Sequence, residues 1–152
     1  MIDEFTTFSV YFSGVDCSGK NTLMHELAKS FDYSVFMSPR SPICCIVYDM
    51  LYRRYTFNKY EEYNRLIKNL LHAGAYFVLV TAYVGILKKR AIDKKEKHVF
   101  AENEFRRQLS KFDECFSVVK NSFKRYEDRF ISVDNSGKIE DSVLEIKKKI
   151  GI

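Results

Sequence analysis

The chain has 152 residues, with 25 Lys and Arg against 20 Asp and Glu and a formal charge of +5 at pH 7. Hydrophobic residues make up 46%, including 13 Phe and 10 Tyr, enough for a packed core, which excludes intrinsic disorder as the overall state. The longest apolar stretch, Ala73 to Leu87, is broken by Gly74, Thr81 and Gly85 and falls short of the roughly 20 residues that cross a bilayer. Asp3 and Glu4 stand where a signal peptide would be basic, so a cytoplasmic protein without a membrane partner is expected. Cys17, Cys44, Cys45 and Cys115 have neither C-x-x-C spacing nor a disulfide framework. The basic excess is concentrated: Lys88 to Lys97 holds six basic and two acidic side chains.

Along the chain the apolar period alternates between strand-like and helix-like. Phe8 to Phe12 reads as a strand ending at Ser13-Gly14, and Leu23, Leu27 and Phe31 form a helical stripe after Lys20. Tyr33 to Met37 reads as a second strand. Ser41 and Pro42 then supply an N-cap and a first-turn proline for a helix through Ile43, Ile46, Val47, Met50 and Leu51. A further helix carries Tyr63, Leu66, Ile67, Leu70 and Leu71 and stops near Gly74. Tyr76 to Val80 is the most continuous apolar run, as a central strand covered on both faces requires. A short helix from Tyr83 to Ala91 precedes the basic window, and Phe105 to Phe123 follows as a long amphipathic helix. Phe130 to Val133 is a last strand, and Ile139, Val143, Ile146 and Ile150 mark a terminal helix.

Strands alternating with helices predict an α/β domain with a parallel sheet and helices on both faces. Ligands bind such sheets beyond the carboxyl ends of the strands. The loops at 13–20, 38–42, 81–84 and 134–137 are therefore the candidate site.

Gly14-Val15-Asp16-Cys17-Ser18-Gly19-Lys20-Asn21-Thr22 fits the phosphate-loop pattern G-x-x-x-x-G-K, with a strand before it and a helix after it. The two glycines let the backbone curl so that N–H groups point inward, and the helix start adds open donors and a positive dipole end. Lys20 adds a full charge for the β- and γ-phosphates. Gly14, Cys17, Ser18, Gly19, Lys20, Asn21 and Thr22 are thus the expected ATP-binding residues. Asn21 stands where Ser or Thr commonly meets Mg²⁺, which leaves Thr22 or a water as the metal contact.

The segment from Phe12 to Thr22 resembles the phosphate loop of thymidylate kinases and deoxynucleoside kinases. The resemblance implies a three-layer P-loop kinase fold over residues 1–152, with a small sheet of about four strands. It implies that Asp16 helps place the acceptor. Ser38-Pro39-Arg40-Ser41-Pro42 is similar to the D-R-S element of these kinases, which makes Arg40 and Ser41 acceptor-binding residues and leaves Pro39 in place of the general base. Leu87-Lys88-Lys89-Arg90 looks like the start of their lid, here around 88–104, with Arg90 as the foremost cation and Lys94, Lys95 and Lys97 behind it. The turn from Val133 to Lys138, with Asn135, is similar to the one that lines adenine.

The expected activity is ATP-dependent transfer to a nucleoside monophosphate, with Lys20, Arg40 and Arg90 as catalytic residues. A missing base at Pro39 favours an acceptor that is already ionised. Transfer to a deoxynucleoside or to a polynucleotide, which the basic charge permits, is the alternative. A nucleotide-binding protein without turnover is a third reading, because Thr81 stands where an acidic residue commonly follows the strand. Compared with these kinases, the stretch between the Pro39-Arg40 element and the Tyr76 strand holds two helices and lacks a strand with its connection, which leaves monomer or homodimer open. A compact Phe-, Tyr- and Lys-rich chain also suits a phage enzyme acting in its host.

Overall fold

A computed structural model describes residues 8–53, 57–94 and 102–151, with the side chains of 57 and 58 excepted. Four strands, β1 (Ser9–Ser13), β2 (Phe36–Ser38), β3 (Ala75–Thr81) and β4 (Phe130–Asp134), form one sheet in the order β2-β1-β3-β4. All its pairings are parallel. Helices α1 (Lys20–Ser30), α2 (Pro42–Tyr52), α3 (Phe57–His72), α4 (Val84–Asp93), α5 (Glu102–Ser122) and α6 (Ile139–Ile150) flank it.

The period-2 alternation of β3 explains the three layers. Phe77 and Leu79 enter a core with Ile43, Ile46, Val47, Ile67, Leu71, Phe112, Phe116 and Val119, drawn from α2, α3 and α5. Val78 and Val80 enter a second core on the other face, with Leu23 and Leu27 of α1 and Ile146 of α6. Buried on both faces, β3 is apolar from Ala75 to Val80, so its sequence shows no alternation. Fully burying one such Phe or Val is worth about 1.5–3 kcal/mol.

The strand order reverses between β1 and β3, because β2 lies on one side of β1 and β3 on the other. The chain therefore leaves β1 into the crevice between two diverging connections, where doubly wound sheets place ligands. No helix among the described residues is long and apolar enough to cross a membrane.

The second strand begins later than its composition predicts. Asp32 and Tyr33 both adopt left-handed backbone conformations after α1, with φ of 51° and 59°, and the Tyr33 amide donates back to the Ala28 carbonyl at 2.9 Å. These residues close the helix instead of opening the strand, and Tyr33 is left exposed. A 3₁₀ segment, Lys124–Arg129, also had no forerunner in the apolar pattern, since its sequence is KRYEDR.

Asp49 of α2 is fully buried. It takes hydrogen bonds from Arg53 Nη1 at 3.1 Å and from the Tyr63 hydroxyl at 2.8 Å, and the latter fastens α2 to α3. Tyr63→Phe should lower stability to urea by about 1–2 kcal/mol, because it strips a partner from a buried carboxylate; an unchanged urea midpoint would contradict this. The bond to Asp49, followed by burial, pushes the Tyr63 phenol up to about 12. Its contribution is full below the unfolded tyrosine value of about 10 and is lost as pH rises through the folded one.

Candidate nucleotide-binding site

The loop between β1 and α1 is shaped by its backbone. Gly14 has φ 156°, and a Cβ there would lie 2.5 Å from the Val80 carbonyl oxygen, so loop and β3 touch main chain to main chain. Cys17 and Gly19 are left-handed, at φ 68° and 84°. The Ser18 amide donates to Val15 O at 3.2 Å, and the Leu23 amide makes the first helical bond, to Gly19 O at 2.9 Å. Gly19 caps α1 without a side-chain hydrogen bond, and the first turn holds no acidic residue. The first-turn amides of Lys20, Asn21 and Thr22 therefore face the loop as open donors at the positive end of the helix, a ready anion site.

Lys20 Nζ donates to Gly14 O at 3.0 Å, which sets its ammonium over the loop. Asp16, Asn21 and Thr22 are exposed around it. The Ser18 hydroxyl is buried and has no partner among the described residues.

Arg90 lies against the outside of the loop. Its Nη1 donates to Cys17 O at 3.3 Å and Ser18 O at 3.1 Å, and its Nη2 to Asn135 O at 2.7 Å. To reach a transferring phosphoryl group it would have to leave these three carbonyls. Lys94 closes α4 as an exposed residue; Lys95 and Lys97, with the middle of the expected lid, lie outside the described residues.

Asn135 follows β4 and is 3% exposed. Its Nδ2 donates to Ser18 O at 2.9 Å, and its amide to Thr81 O at 2.7 Å. Thr81, at the position of the absent acidic residue, turns its hydroxyl to Val133 O at 3.3 Å.

At the expected acceptor element, Ser41 is buried and its hydroxyl faces inward. It caps α2 by accepting from the Ile43 amide at 3.1 Å and shares a 2.5 Å hydrogen bond with the Ser13 hydroxyl. The phosphate loop and the start of α2 are thus tied at their roots. Ser38 Oγ donates to Arg40 O at 2.8 Å and closes a tight turn that leaves the Arg40 side chain exposed.

No protein-family model matches the chain, and no curated protein sequence matches it. Solved structures do. The YorR protein of Bacillus subtilis, solved with phosphorylated GDP, superposes with a TM-score of 0.64 at 18% identity, over 95% of this chain and 93% of that one. Deoxyadenosine kinase from M. mycoides with bound dCTP gives 0.60 at 15%, over 95% and 98%. A gluconokinase from Sinorhizobium meliloti 1021 gives 0.53 at 15%, over 95% and 91%. The chain has the fold of a P-loop kinase.

In this P-loop kinase fold, two buried polar residues, Gln108 and Ser142, escaped the sequence reading. For Tyr48 of α2, burial, and next the Asp16 carboxylate, hold the phenol well above the usual tyrosine range while Arg40 opposes them. Tyr48 therefore shares its surroundings with both expected acceptor residues. Its ring stacks on Tyr52 and meets Phe112 edge-on. Gln108 of α5 is 1% exposed. It donates from Nε2 to the Tyr52 hydroxyl at 2.7 Å, and its Oε1 has no partner among the described residues. Ser142 of α6 donates to Asn135 Oδ1 at 2.9 Å. Ser142 and Gln108 each occupy a position three residues after an apolar one on an inward helical stripe, and that was the available signal.

None of the four cysteines forms a disulfide. Burial raises the pKa of Cys45 and lifts that of Cys115 to about 11, so both are held as neutral thiols. The described residues contain no cluster of three or more His, Cys, Asp or Glu able to hold a metal ion.

Proposed function

We propose that the protein is an ATP-dependent kinase of a nucleoside monophosphate, similar to thymidylate kinases. The observation that carries this reading is the loop from Gly14 to Lys20, which holds the Lys20 ammonium on Gly14 O and leads into a helix start with no side-chain cap and no acidic residue in its first turn. ATP fits it on structural grounds, because the cradle is made of backbone donors and the Gly14 position has no room for a side chain. Mg²⁺ fits as well: it commonly takes one or two protein oxygens and completes its shell with phosphate and water. The exposed Thr22 hydroxyl would supply one, directly or through a water. When bound, magnesium neutralises charge on the β- and γ-phosphates.

Lys20 binds the β- and γ-phosphates of ATP. Arg40, on its exposed turn, pairs with the acceptor phosphate, and Asp16 accepts a hydrogen bond from the acceptor's sugar. Tyr48 lies within electrostatic reach of both. An acceptor phosphate oxygen then attacks the γ-phosphorus as the bond to the β–γ bridging oxygen breaks, and ADP leaves with the electron pair. A monophosphate is already an anion at neutral pH, so Pro39 in place of a base costs nothing. Catalysis is by positioning and charge neutralisation.

A second reading, a nucleotide-binding protein without turnover, is favoured by Thr81, whose hydroxyl is committed to Val133. Radiolabelled ATP with Mg²⁺ should label a nucleoside monophosphate when offered with nucleosides, gluconate and oligonucleotides. Label on a nucleoside, a sugar acid or an oligonucleotide alone would overturn the monophosphate assignment. ATP binding with no transfer to any of them would establish the second reading instead.

A further inference from the structure

We propose that Arg90, Asn135 and Ser142 are positioning residues, a bracket that holds the phosphate loop in its binding shape and joins it to the turn after β4. This rests on the reading of the loop as an ATP site.

A loop that points its N–H groups inward must point carbonyls outward, and those carbonyls need donors. Cys17 makes the demand acute, since a non-glycine residue at φ 68° persists only where its surroundings fix it. The carbonyl of Cys17 takes a hydrogen bond from Arg90, and that of Ser18 takes one from Arg90 and one from Asn135. The remaining arm of the guanidinium holds Asn135 O. One planar fork therefore spans the loop and the turn, which a lysine ammonium cannot do.

Ser142 sets the direction of the Asn135 amide. By donating to Oδ1 it leaves Nδ2 facing Ser18 O, and both side chains are 3% exposed, so little water competes for these bonds. The bracket also accounts for Gly19, where a Cβ would sit 2.5 Å from Asn135 Nδ2 and 3.5 Å from Arg90 Nη1. Ser142, on α6, thus acts on the nucleotide only through Asn135.

The test is calorimetric binding of ATP and of inorganic tripolyphosphate, which probes the loop without the base, at a temperature where circular dichroism shows each variant folded. Ser142→Ala and Arg90→Lys should each weaken both ligands by roughly 5- to 30-fold, the worth of one buried hydrogen bond. The double variant should lose less than the product of the two, because both act on one loop. A scaffolding role alone would lower Tm and leave the folded affinity unchanged, which overturns the proposal. So does an Arg90→Lys protein that loses ATP but keeps tripolyphosphate, since Arg90 would then serve the base. If Arg90→Lys fails to fold, Ser142→Ala decides. A parent protein that binds neither ligand would remove the ATP reading itself and the bracket with it.

Discussion

Lys20→Ala should lower phosphoryl transfer by on the order of 10³-fold, the upper range for removing one well-placed charge from a transition state, with the fold intact. Among the described residues the side chain makes a single hydrogen bond, to Gly14 O. The helix it opens is held by its own ladder, by Leu23 and Leu27 in the core, and by the Gly19–Leu23 bond. Alanine is also the best helix former, so α1 loses nothing in propensity. Among the described residues no other cation is held on Gly14 O, so in the proposed mechanism no neighbour takes over from Lys20 in neutralising the negative charge that develops on the β–γ bridging oxygen. Initial rates with ATP and the preferred acceptor, beside a thermal melt, check both halves. A rate within tenfold of the parent would mean that the loop does not hold the transferring phosphoryl group.

Gly14→Ala should act through the backbone and damage both stability and binding. The new methyl would lie 2.5 Å from Val80 O and 3.1 Å from Ser18 Oγ, and the first of these is main chain of the central strand. It cannot rotate away, and φ 156° is a conformation that L side chains rarely adopt. Overpacking and backbone strain each cost about 1–3 kcal/mol, so a loss of about 3 kcal/mol is expected. Since the loop has to move off β3 to relieve the clash, its N–H groups lose their convergence, and ATP affinity should fall at least about 30-fold, the equivalent of 2 kcal/mol. Denaturant midpoints and calorimetric titration with ATP measure the two losses separately. Near-parental stability would show that loop and strand can part at little cost.

The elements around the site differ in how far their sequences foretold them. β3 was legible because burial on both faces demands five successive apolar residues, Tyr76 to Val80. α2 was legible because Ser41 and Pro42 form a cap whose chemistry is local, and the cap is present as expected. The late start of β2 was not legible, because Asp32 and Tyr33 take left-handed conformations that their residue types do not announce. Ser41 shows the same divide within one residue. Its capping role could be read from its neighbours in the chain, whereas its bond to Ser13, 28 residues away, could not.

Asp49, Gln108 and Ser142 extend the point. Each is a polar residue on the apolar stripe of a helix, and each is at most 3% exposed. A polar residue at a core position has to find partners, so the sequence could have flagged all three. The partners themselves, Tyr63, Tyr52 and Asn135, come from other elements.

The sequence by itself determined the layers, the strand count and the phosphate loop, because periodicity, capping and G-x-x-x-x-G-K act over a few residues of contiguous chain. Only the tertiary structure decided what Arg90 touches. Its three acceptors belong to Cys17, Ser18 and Asn135, which are carbonyls of the main chain that every residue type carries alike. A side chain that seeks a backbone oxygen leaves no mark in the composition of its partner, so the role of that arginine could be found only where the folded chain brings α4, the loop and the end of β4 together.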